Sequence, residues 1–234
     1  MAYRSVMLPD IGEVYLSKRR GAKYIRLSIT PSGQVRIGLP SWTPYAAGIA
    51  FAKRRKAWII QQQALRPLVQ LSDGARIGKA HRLCFYPSRG KAKISSRVTQ
   101  TEVRIYTDLP FGDKLVQSAA GAASQRALLK EAVDLLPARL ATLAQEKGYS
   151  YRGVRIRKLT SRWGSCSNAK VINLSYFLIQ LPWPLIDYVL LHELVHTRHM
   201  NHSREFWNDL INSLPQARHL QEEIKIYNSR IEVS

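Results

Sequence analysis

The run Pro184-Leu185-Ile186-Asp187-Tyr188-Val189-Leu190-Leu191-His192-Glu193-Leu194-Val195-His196 decides how the rest of the chain is read. Proline suits the first position of a helix, Asp187 puts a negative charge near the first turn, and no glycine or later proline interrupts. The pattern predicts a helix from about Pro184 to His199. Positions four apart share a helix face, so His192 and His196 can reach one metal ion. Glu193 lies beside the pair, placed to polarise a metal-bound water rather than to ligate the metal. Leu190, Leu191, Leu194 and Val195 make the other faces apolar, which predicts a buried helix. Histidines and a glutamate are costly there without partners, and a metal ion supplies one.

A zinc site with three protein ligands needs one more residue. His199 is two turns from His192, about 10 Å along a straight helix, so one ion does not easily take all three histidines. Asn201 tolerates left-handed geometry and can reverse the chain, which swings His202 back towards the metal. The interval from His196 to His202 equals that between the second and third histidines of the metzincin pattern, whose glycine is absent here. Ser203 reads as the N-cap of a new helix that turns Phe206, Trp207, Leu210 and Ile211 inward. Glu205, on that helix, is the rival third ligand.

Ser161-Arg162-Trp163-Gly164-Ser165-Cys166-Ser167, then the His192–His196 motif, then Asn201-His202-Ser203 and Phe206-Trp207, closely resemble the YgjP-like metallopeptidases. These are bacterial zincins related in pattern to the SprT/Spartan and WLM proteases. The diagnostic motifs run from Ser161 to Trp207. The resemblance implies zinc held by His192, His196 and His202, with Glu193 as the catalytic base in peptide-bond hydrolysis. It implies an α+β fold, with a mixed or antiparallel sheet packed on the metal helix, after a basic β-rich N-terminal region. In zincins an edge strand above that helix pairs with the extended substrate, which places Trp163–Cys166 or Val171–Leu174 near the edge. No oxyanion donor stands out; a Tyr, Arg or His from another segment would serve.

The chain has 234 residues, enough for one large domain or two small ones, and a division at 1–113 and 114–234 is expected. Its 36 Lys+Arg against 16 Asp+Glu leave a net charge of +20. That excess points to a polyanionic partner, DNA or another nucleic acid first and an acidic membrane surface second, or to a generically basic protein. The clusters Lys53-Arg54-Arg55-Lys56 and Arg89, Lys91, Lys93 are the candidate contacts. A rival reading is therefore a nucleic-acid-binding protein with a structural or vestigial zinc site; the intact Glu193 argues against it. A third combines the two, as a protease acting on nucleic-acid-associated proteins. Cys84 and Cys166 are too few for a disulfide framework, and Cys166 reads as a small buried strand residue. No apolar leader opens the sequence and no run approaches ~20 apolar residues, so a cytoplasmic protein without a membrane span is expected.

Elsewhere Val14 to Pro40 reads as a strand meander with Gly21-Ala22 and Pro31-Ser32-Gly33 at its turns, Arg26 and Arg36 sharing one face. A helix capped by Ser41 or Thr43 follows to about Leu65, with Ala47, Phe51, Trp58 and Ile59 inward. Strands recur between Ala75 and Thr107, where His81 reads as a surface or satisfied histidine. From Gln117 to Lys147 the period is helical, with Pro137 expected to kink it or to begin a second helix capped by Asp134, and Gly148 as the stop. Leu128, Leu129, Leu136, Leu140 and Leu143 supply its buried side. Val154 to Leu159 reads as a strand. Trp163 reads as a core residue stacked with Arg162, and His219 as an ordinary surface residue.

Overall fold

The computed structural model describes residues 3–29, 35–64, 70–88 and 94–227. The chain divides into two compact units, Met1–Val69 and Gln70–Ser234.

In the first unit, β1 (Tyr3–Leu8), β2 (Gly12–Arg19), β3 (Arg26–Ile29) and β4 (Val35–Pro40) form one sheet in the order β1-β2-β4-β3. Alternation builds its core face: Val14, Leu16, Val35, Ile37 and Leu39 are buried, while Arg36 is exposed. The meander expected from sequence is corrected here. β4 inserts between β2 and β3 and runs parallel to β2, so the strands flanking Gly21-Ala22 are not partners. Arg26 and Arg36 do share a face, because Arg26 faces Gly38 and Ser28 faces Arg36. The turn at Pro31-Ser32-Gly33 lies outside the described residues. The single expected helix is two, α1 (Tyr45–Arg54) and α2 (Lys56–Ala64), broken at Arg55. Pro44 is the N-cap of α1 and no side chain caps it. Ile59 is buried as predicted, the other buried positions, Gly48 and Ala52, stand one residue beyond the predicted Ala47 and Phe51, and Trp58 faces out.

In the second unit, β5 (Arg76–Ile77), β6 (His81–Tyr86), β7 (Ser95–Val98) and β8 (Glu102–Tyr106) form a mixed sheet, β5-β6-β8-β7. Its apolar side, including Ile77, Leu83, Val103 and Ile105, shares one core with Leu128, Leu136, Leu140 and Leu143 of α3 (Lys114–Glu146). A small sheet with one apolar face must bury it against another element. The boundary between the compact units falls at Val69/Gln70. Helix α3 is continuous through Pro137, so no second helix begins there. Proline removes one hydrogen bond to the Val133 carbonyl, and Val133 is exposed, so water can replace it. The cap is Asp113, which accepts from the Leu115 amide at 2.7 Å and the Val116 amide at 3.4 Å. Gly148, at φ 68°, supplies the left-handed residue that stops the helix. Leu129 faces solvent.

A second, three-stranded sheet follows: β9 (Gly153–Arg157), β10 (Gly164–Cys166) and β11 (Val171–Ser175), ordered β10-β11-β9. β11 is central, parallel to β9 and antiparallel to β10. A short 3-10 turn, Tyr176–Gln180, leads into α4 (Trp183–Val195), then α5 (Arg204–Ser213) and α6 (Ala217–Glu223). α4 packs against α3, and Arg139 of α3 clasps Asp187 of α4 through two bonds of 2.8 and 2.6 Å. The fold is thus α+β with mixed sheets. Among the described residues no helix is long and apolar enough to cross a membrane.

Candidate metal centre

α4 is apolar on nearly every side, with Leu185, Ile186, Val189, Leu190, Leu191, Leu194 and Val195 buried. It ends at Val195, four residues earlier than the sequence pattern suggests, with His196 as its C-cap. The end is tight: the Thr197 and Arg198 amides reach back to Leu194 and Val195 at 2.9 Å, and the Thr197 hydroxyl donates to the Leu194 carbonyl at 2.7 Å. The chain then reverses without a left-handed residue at Asn201, correcting the geometry expected there. Ser203 caps α5 by accepting from the Phe206 amide.

That reversal brings three imidazoles together. His192 Nε2 is 3.2 Å from His196 Nε2 and 3.0 Å from His202 Nε2. Nitrogens bound at about 2.1 Å to one tetrahedral ion sit about 3.4 Å apart, so the spacing is close to that of a shared ligand set. The tautomer of His196 agrees. His196 Nδ1 is 2.9 Å from the His199 carbonyl, which only accepts, so Nδ1 carries the proton and Nε2 keeps its lone pair. Burial, and then the neighbouring histidines, hold His192 down to about 3, and burial lowers His196, so both rings are neutral at ordinary pH. Neutral imidazole is the form that binds metal. His192 and His196 are half-buried and His202 is exposed, so one side of the cluster faces solvent. Among the described residues, these three alone form a group of this kind.

Glu205 is not brought in: it is exposed on the first turn of α5 and bonds Ser203, which holds its carboxyl below the usual range. His199 turns its ring to Asp209, at 3.4 Å, and offers the site only its carbonyl. His81 is buried in the other sheet, its ring nitrogens facing Glu131 at 2.5 Å and the Thr99 carbonyl at 3.1 Å.

Glu193 is buried, and its Oε2 has no hydrogen-bond partner among the described residues. Burial pushes its carboxyl up to about 8, against the smaller opposing pull of Arg162. Edge strand β10 lies directly on it: a Cβ placed at Gly164 would stand 2.7 Å from Glu193 Oε1 and 2.9 Å from Cδ. Glycine is required by this approach. Of the two segments that sequence places near a substrate edge, β10 is the edge and β11 is interior. Cys166 is half-buried, packs on the core and is raised by burial. Trp163 packs on the same core, with no Arg162 stack among the described residues. Sequence marked Phe206 as a core residue and as part of the family motif, without a place at the imidazoles. Its ring, fully buried, lies 5.0, 4.7 and 4.7 Å from those of His192, His196 and His202, and forms an apolar wall shared by all three. The signal was available in its place one turn after the Ser203 cap.

The YgjP-like, metallopeptidase domain family matches residues 23–227. No curated protein matches the chain. Among solved structures, the metallopeptidase zymogen of Pyrococcus abyssi abylysin is 26% identical, with a TM-score of 0.37 over 39% of this chain and 93% of that one. The metallopeptidase zymogen of Methanocaldococcus jannaschii jannalysin is 20% identical, with a TM-score of 0.35 over 39% and 94%. The family match spans nearly the whole chain, and the chain belongs to the YgjP-like metallopeptidases.

Proposed function

We propose that this metallopeptidase is a zincin that hydrolyses peptide bonds in protein or peptide substrates, with His192, His196 and His202 holding zinc and Glu193 acting as the base. The observation that carries the reading is the convergence of three imidazole nitrogens beside a buried, half-unpartnered carboxylate under an edge strand. When bound, zinc supplies a Lewis acid that activates water and polarises a carbonyl.

The chain's own residues do the rest. The His192, His196 and His202 lone pairs form the donor set, and exposure on the His202 side leaves room for substrate. The unpaired edge of β10 offers its free backbone groups to an extended substrate strand. Glu193 Oε2, without a partner among the described residues, is free to take a proton from water and return it to the departing amine. Burial pushes the Glu193 carboxyl up to about 8, and its proton affinity would fall with a cation held by the three imidazoles. A purely structural zinc site has no use for such a carboxylate, which favours the enzyme over a nucleic-acid-binding protein with a vestigial site. The test is hydrolysis of denatured casein by wild type and by Glu193→Gln, each with zinc content measured. The variant keeps its zinc and loses most turnover; equal turnover removes Glu193 as the base.

A further inference from the structure

The turn between α4 and α5 carries two of the three imidazoles, His196 at its start and His202 at its end. Its first half is held by backbone bonds as far as the His199 amide, 3.0 Å from the Val195 carbonyl. Met200 and Asn201 beyond it are exposed. The turn is instead gripped from outside, by one carboxylate. Asp209 of α5 takes Arg198 Nη1 at 3.3 and 3.4 Å, stands 3.4 Å from His199 Nε2, and accepts from the Tyr149 hydroxyl at 2.8 Å. Arg198 also donates to the Gly148 carbonyl at 2.6 Å, with its guanidinium 4.2 Å above the Tyr149 ring. Asp209 therefore ties the turn to the C-terminal end of α3. It lies three residues after Phe206 on α5, so the same helix walls the imidazoles with Phe206 and grips the Arg198 and His199 side chains of the turn with Asp209.

We propose that Asp209 is a positioning residue for the metal: by gathering Arg198 and His199 it fixes the peptide whose carbonyl orients His196, and so sets metal affinity. The inference rests on the zinc-binding reading above. Carbonyl and carboxylate partners behind metal-bound histidines typically govern affinity by 10- to 100-fold, and Asp209 acts one bond further out, so a loss of about tenfold is expected.

The experiment is zinc affinity by competition with a chromophoric chelator, together with the melting temperature of the metal-free protein. Asp209→Asn weakens zinc binding about tenfold, and Asp209→Glu recovers part of the loss. Arg198→Gln, at a half-exposed side chain, weakens it in the same direction by a smaller factor and guards against a misfolded Asp209 variant. Asp187→Asn is the control: it breaks the Arg139 clasp at the other end of α4, lowering stability with zinc affinity unchanged. Wild-type affinity in both Asp209→Asn and Arg198→Gln overturns the proposal. So does an equal loss of affinity in Asp187→Asn at the same drop in melting temperature, since the effect would then be general loosening. Absence of zinc binding by wild type overturns the zinc reading itself, and this inference with it.

Discussion

At the residue scale, Gly164 and Glu193 constrain each other. A methyl group at Gly164 collides with the Glu193 carboxylate, not with a pliable aliphatic tip. Gly164→Ala should therefore cut turnover by at least about tenfold, as displacing a base by a fraction of an ångström does, with zinc content intact. Steady-state kinetics beside metal analysis checks this, and undiminished turnover refutes it. The metal-free protein also carries a pH signature. Between 4.5 and about 8 the folded state holds a proton on Glu193 that the unfolded chain releases, so the associated stability is full below 4.5 and lost as pH rises through 8. His192 works the other way: its contribution is present above 6.5 and is lost as pH falls towards 3. Glu193→Gln removes the first effect alone. In the presence of chelator, the variant should gain on wild type by a few kcal/mol, to order of magnitude, as pH rises from about 5 to about 8.5. Thermal melts across that range measure it; a difference independent of pH contradicts it.

At the element scale, α3 organises the second unit, and Glu131 is its firmest tie to the strands. Its carboxylate accepts from the Lys79, Ala80 and His81 amides at 2.5, 3.0 and 3.2 Å and from the His81 ring. Glu131→Ala strands these donors, the two on His81 buried, and should cost about 3 kcal/mol, with Glu131→Gln costing less than half as much. Urea unfolding decides, and a loss under ~1 kcal/mol from the alanine variant refutes the tie. The elements also show what a sequence reveals. The His192–His196 pairing was legible because its geometry is local, four residues on one helix. His202 was legible through its interval, although the reversal uses no left-handed Asn201. That no second helix begins at Pro137 was not legible, because sequence does not show that Val133 faces solvent. The β2–β4 pairing was hidden because a parallel crossover leaves no turn signature, and Asp209 was hidden because its partners lie up to 60 residues away.

At the scale of the whole molecule, the chain carries a net charge of +20. Lys53, Arg54, Arg55 and Lys56 are exposed in the first unit, where only Lys56, beside Asp10, has a carboxylate partner among the described residues. The basic turn at Arg89, Lys91 and Lys93 lies outside the described residues. If this helix region contacts nucleic acid, changing its four basic residues to Ser lowers DNA affinity and flattens the salt slope by up to about 4, with zinc unchanged. Fluorescence anisotropy against salt measures it, and equal slopes remove the helix from any such surface. The central claim, that the three imidazoles hold the metal that makes the molecule a peptidase, is tested most directly by metal analysis of single alanine variants. Wild type should carry about one zinc per chain, and His192→Ala, His196→Ala and His202→Ala should each lose it while Glu205→Ala retains it. Full zinc in His202→Ala together with loss in Glu205→Ala would contradict the account and hand the third position to Glu205.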